Sequence, residues 1–131
     1  MLTGSCHCGQ LRWQFKAEPV DATACNCTVC RRYGVLWAYG HEGEEIETSG
    51  ETIAYAWGEK VIGFYFCPTC GGVGYWRSNL LRKTGQRRIA VNLRLADDPQ
   101  AVAEIPVTRF DGLDSFASLG RDGRCVRDLW S

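Results

Sequence analysis

Apolar and polar residues alternate along much of the chain with a period of two. In QLRWQFKA (10–17), Leu11, Trp13 and Phe15 fall on one side and polar residues on the other, which predicts a half-buried strand. GVLWAYG (34–40) is a short aromatic strand between glycines. In TIAYAW (52–57), Ile53, Tyr55 and Trp57 alternate again. VIGFYF (61–66) is an almost unbroken apolar run, as expected of a strand central in its sheet, and Tyr75 and Trp76 start the return strand. In RIAVNLRLADD (88–98), Ile89, Val91, Leu93 and Leu95 share one face. Helix signals are weak. DPQAVAEI (98–105) offers one or two turns with Asp98 as cap and Pro99 at the first position, and DGLDSFASLG (111–120) offers a second short helix. Many short strands joined by glycine-rich turns predict a mainly β protein of antiparallel sheets. With no repeat, low-complexity tract or linker, residues 1–131 read as one domain.

Composition narrows the function classes. Hydrophobic residues make up 45% of the 131, with five tryptophans, enough for a core. The formal net charge is zero, which argues against a general nucleic-acid or anionic-membrane binder. No apolar run approaches the roughly 20 residues that span a bilayer. The start, MLTGSCHCGQ, lacks the charged and apolar regions of a signal peptide, so a cytoplasmic location is expected.

Eight cysteines change the picture. They are bunched as Cys6/Cys8, Cys25/Cys27/Cys30 and Cys67/Cys70, with Cys125 alone. In a reducing compartment, CxC and CxxC spacings mark metal ligands. FCPTCGG (66–72) has a proline to preset the turn and glycines to accept left-handed backbone, and strands flank it, so two thiolates converge at a hairpin tip. A redox CxxC would need a helix where the glycines stand. In extended chain, Cys6 and Cys8 point to one side and reach one metal, while His7 between them points away. CxC plus CxxC closes a tetrahedral zinc site. Cys25, Cys27 and Cys30 supply three thiolates and leave a fourth position open, as working zinc sites do; a thiol bound there would lose its proton. Cys125 is the alternative fourth ligand, which would make the second site structural and the protein a non-catalytic zinc module for a protein partner. The spacing matches neither ferredoxin pattern, and the zinc-deaminase signature lacks its Glu.

In this order, GSCHCGQLRWQF, CNCTVCRRYG and FCPTCGG resemble the glutathione-dependent formaldehyde-activating enzyme family, whose domain also occurs in centromere protein V. The resemblance implies an Mss4-like fold of antiparallel sheets. It implies two zinc ions per chain: a structural one on Cys6, Cys8, Cys67 and Cys70, and a catalytic one on Cys25, Cys27 and Cys30. It also implies a carbon–sulfur lyase that joins glutathione, a small-molecule thiol, to the aldehyde formaldehyde. Many members carry an arginine just before FC; here the run is VIGFYFC, and the nearest basic residue upstream is Lys60.

Neighbouring residues complete the expectation. Arg31 and Arg32 would balance the negative trithiolate and hold a carboxylate of the thiol. Asn26 and Thr28, inside the loop, would orient the bound thiolate unless turn chemistry alone explains them. Trp37, Tyr39, Tyr55 and Trp57 are core residues or the walls of a pocket. RSNLLRKTGQRR (77–88) is a solvated basic loop or an anion-binding surface. His41 is a polar turn residue or, if it reaches the metal, a general base.

Overall fold

The structure is a computed structural model describing residues 1–131. Eleven strands run through the chain: β1 (Leu2–Ser5), β2 (Arg12–Phe15), β3 (Ala22–Cys25), β4 (Trp37–His41), β5 (Ile46–Ser49), β6 (Ile53–Tyr55), β7 (Ile62–Phe66), β8 (Val73–Ser78), β9 (Arg88–Asn92), β10 (Pro106–Asp111) and β11 (Ala117–Cys125). A single helical turn, α1 (Cys30–Tyr33), follows β3. The strands form a three-stranded sheet, β1-β2-β5, and an eight-stranded sheet, β11-β10-β3-β4-β9-β8-β7-β6. The mainly β expectation holds. All strand pairings are antiparallel except β3 with β10.

The period-two pattern places the core. In β2, Trp13 and Phe15 are buried while Arg12 and Gln14 are exposed. Trp13 and Phe15 join Leu2 and Ile46 of the small sheet and Ala38, Tyr75, Ile89 and Val91 of the large sheet in one apolar layer between the two. The opposite face of the large sheet carries a second, smaller cluster: Trp37, Phe64, Trp76 and Ala90, with Cys30, Val35 and Val73. Register explains that row, because Tyr39 stands opposite Ala90, Ala90 opposite Trp76, and Trp76 opposite Phe64.

Three expectations need correction, and the turn expected in 98–105 is met. Ile53 and Tyr55 alternate as predicted, but β6 is an edge strand and both are about half exposed (50% and 48%). The strand from Arg88 stops at Asn92. The buried Asn92 side chain accepts from the Leu36 and Arg94 N–H groups and donates to the Val73 carbonyl, capping a 3-10 turn over Leu93–Leu95. In 98–105 only Pro99–Ala101 forms a 3-10 turn, with Asp98 accepting from the Gln100 N–H as its cap. Residues 111–120 are no helix. Asp111 accepts from the Asp114 and Ser115 amides and the Ser115 hydroxyl, which tightens a turn between β10 and β11. Such local side-chain bonds compete with helix formation.

Candidate metal centres

The first centre joins two hairpins. Cys6 and Cys8 lie in the β1–β2 turn, and Cys67 and Cys70 in the β7–β8 turn. Each turn is closed by a glycine with positive φ, Gly9 (85°) and Gly71 (76°), as the knuckle requires. Their four sulfurs lie within 4.8 Å of one another. Cys6 Sγ is 3.7 Å from Cys8 Sγ, which is 3.5 Å from Cys67 Sγ. Sulfurs placed 2.3 Å from a tetrahedral zinc stand about 3.8 Å apart, so the donor set fits such an ion. Main-chain N–H groups face the sulfurs: Leu11 donates to Cys6 at 3.2 Å, and Thr69 and Cys70 donate to Cys67 at 3.4 and 3.5 Å. The Cys70 thiol is lowered to about 6, chiefly by the Cys8 and Gly72 N–H groups. Cys6 and Cys67 are buried, Cys8 and Cys70 exposed, and His7 points to solvent as expected.

The second centre is one loop. Cys25 ends β3, Cys27 follows, and Cys30 opens α1; their sulfurs also lie within 4.8 Å of one another. Cys30 is buried. Its Sγ accepts the indole N–H of Trp37 at 3.3 Å, and Cys27 Sγ accepts the Cys30 N–H at 3.3 Å. The Cys30 thiol donates to Cys25, and the Cys27 and Gly112 N–H groups add to it, so Cys25 is lowered to about 5. Cys30 is pushed up by the same bond and by burial. Cys25 is therefore the sulfur of the three that is favoured as thiolate at neutral pH, and sulfur donors suit a soft cation.

Part of this site comes from far along the chain. β10 pairs in parallel with β3, setting Phe110 beside Cys25. The turn after β10 therefore lies on the cysteine loop. A Cβ on Gly112 would stand 2.7 Å from Cys25 Sγ and 2.8 Å from Cys27 Cβ, so only glycine fits without a shift. Asn26 fastens the contact: its amide donates to Asp111 at 3.1 Å and its oxygen accepts the Leu113 N–H at 3.0 Å. Both ends of the Asn26 side chain are thus engaged by the hairpin. Asp111 and Gly112 were not legible as site residues, because nothing local marks them; only the strand order brings them here.

The other expected residues disperse. Cys125 is not in the second cluster. It sits opposite Pro106, four residues and about 13 Å down β10 from the Cys25 level. Its thiol donates to Asp128, the partner in a capping box. Arg32 donates to the Thr28 carbonyl at 2.8 Å, while Arg31 is exposed and unpaired. Of the four aromatics, Trp37 is core (1% exposed), whereas Tyr55 and Trp57 are half exposed and, with Thr28, Val29, Arg32 and Tyr33, line a groove of about 280 Å3 beside α1. Tyr39 is about half exposed (46%), and desolvation of its hydroxyl raises its pKa against a hydrogen bond with Thr23. His41 groups with Glu44 and Glu45, its Nδ1 3.7 and 3.6 Å from their carboxylates. The basic stretch is no single surface, since Arg77 and Arg87 both face Glu42.

Fold and sites together define a mainly β protein with two cysteine clusters whose sulfurs are close enough to hold metal ions. The chain belongs to the glutathione-dependent formaldehyde-activating enzyme family, whose model matches residues 1–108. The structure is also similar to a Rhodobacter sphaeroides protein solved as a Northeast Structural Genomics target, with 25% identity, a TM-score of 0.61, and coverage of 81% of this chain and 99% of that one. No curated protein matches the sequence. No helix is long and apolar enough to cross a membrane.

Proposed function

We propose that the protein is a zinc-dependent carbon–sulfur lyase or synthase that joins a thiol, glutathione in the family's reaction, to an aldehyde such as formaldehyde. The observation that carries this reading is the contrast between a cluster of four cysteines and a cluster of three, with Cys125 turned away from the latter. Cys6, Cys8, Cys67 and Cys70 would hold one zinc ion as a structural tie, and Cys25, Cys27 and Cys30 a second. An ion with three protein ligands supplies a place where a thiol binds and loses its proton.

The chain's own residues prepare that place. Trp37 fixes Cys30, and Gly112 packs against Cys25, so the loop is set before a ligand arrives. Arg31, adjacent to Cys30 and without an acid partner, is the cation next in sequence to offset the charge of the bound thiolate. In the reaction, sulfur attacks the carbonyl carbon. A C–S bond forms, the C=O π pair moves to oxygen, and that oxygen takes a proton to give the S-hydroxymethyl product. The reverse sequence is the lyase direction.

Titration calorimetry of the zinc-loaded protein with glutathione tests this. Saturable binding is expected, and it disappears in Cys27→Ala while the four-cysteine metal stays bound. Equal binding in that variant overturns the reading.

A further inference from the structure

Two arginine–aromatic stacks stand on opposite faces of the large sheet, and only one has an acid. On the inner face, the Arg77 guanidinium lies 4.5 Å from the Tyr65 ring centroid and 5.9 Å from that of Tyr75, and it donates to Glu42 at 2.9 Å. On the outer face, the Arg88 guanidinium lies 5.5 Å from the Trp76 ring and 6.0 Å from the Tyr39 ring. No carboxylate pairs with Arg88, although its neighbour Arg87 shares Glu42 with Arg77. The side chain is exposed.

The open stack lies on the cysteine side of the sheet. Trp37, which donates to Cys30, and Tyr39 are alternate residues of β4 and share that face. Ala90, opposite Tyr39, and Arg88 are alternate residues of β9. Arg88 stands opposite His41, four residues or about 13 Å along β4 from Trp37, and its side chain reaches back along that row to lie over Tyr39 and Trp76. A guanidinium held over aromatic rings with no acid partner has N–H donors to offer, and its planar fork matches a carboxylate.

We propose that Arg88, seated on Tyr39 and Trp76, is a substrate-specificity residue that receives the carboxylate of a thiol whose sulfur is held at Cys25, Cys27 and Cys30. This deepens the proposed function and rests on its placing of the thiol. The substrate class is then a thiol bearing a carboxylate several bonds from sulfur. A substrate carboxylate takes the position on the outer stack that Glu42 fills on the inner one.

The test compares two probes that differ in one group, N-acetylcysteinylglycine and its C-terminal amide. Calorimetry uses zinc-loaded wild-type protein, Arg88→Gln and Arg31→Gln, with metal content measured for each. We expect the wild type to bind the acid about tenfold or more tightly than the amide. In Arg88→Gln the ratio falls to near one through loss of acid binding, with amide affinity kept; in Arg31→Gln the preference survives. A preference that persists in Arg88→Gln, or that vanishes in Arg31→Gln instead, overturns the assignment. Equal binding of both probes by the wild type overturns it too, while leaving the thiol site standing. Binding of neither probe overturns the proposed function and this inference together.

Discussion

The two cysteine clusters use the same donor atom and differ in what they connect. Cys8 and Cys67 are 59 residues apart, so a cation there ties the small sheet's hairpin to the large sheet's hairpin. Cys25, Cys27 and Cys30 belong to one loop, and a cation there closes only that loop. Cross-linking constrains an unfolded chain more when the loop it closes is long, and metal-binding free energy becomes folding free energy only where folding builds the site. A cation at the first cluster would therefore add to the fold's stability. The second is an addition to a strand end that β10, β4 and Trp37 already hold in place.

The sharpest way to break this comparison is to remove one ligand from each. Cys67→Ser should lose the tying metal and destabilise the protein by several kcal/mol, or prevent folding. Cys27→Ser should lose one metal per chain while its stability changes by only about 1 kcal/mol. Metal analysis with thermal melts reads both, and equal destabilisation would abolish the distinction. A smaller effect is expected from Trp37→Phe, which keeps a ring in the outer cluster and removes the donor to Cys30. Metal affinity at the three-cysteine loop should fall about tenfold, as losses of hydrogen bonds to metal ligands do, with the four-cysteine affinity unchanged. Chelator competition measures this, and a parallel loss at both centres would contradict it.

The smallest effect concerns the hairpin latch. The Ser115 N–H and hydroxyl, then Asn26, hold the pKa of the Asp111 carboxyl down at about 2, below the ordinary aspartate value of 3.8. A folded value below the unfolded one means the stabilisation is complete above about pH 4 and is lost as pH falls through 2. Near neutral pH the latch is thus fully made, and Asp111→Ala should speed amide exchange at Asp114 and Ser115 with little change in the melting temperature. Unchanged exchange would show that the tip holds without it.

Much of the first centre was legible because CxC and CxxC are local devices whose geometry follows from strand and turn. The second loop was legible as a ligand set for the same reason. Its surroundings were not. Gly112 approaches Cys25 only because β10 runs parallel to β3, and no pattern in residues 111–120 distinguishes that turn from a helix start. Tyr55 and Trp57 show the limit of alternation: it reports the two sides of a strand, but coverage of a side depends on neighbours, and β6 has one only at β7. Asn92 ended a strand that hydrophobicity alone would have continued to Leu95, because its amide satisfies three main-chain groups inside the core.

The parallel pairing of β3 with β10 also has a consequence for the order in which a growing chain matures. Residues 6 to 70 leave the ribosome before residue 106, so all four thiols of the tying centre are available while the hairpin that packs on Cys25 is still being made. Cys25, Cys27 and Cys30 emerge earlier still, yet their loop gains its wall, Gly112, and its latch, Asp111, only when translation has passed β10. The centre whose ligands are synthesised closest together is thus the later of the two to be completed.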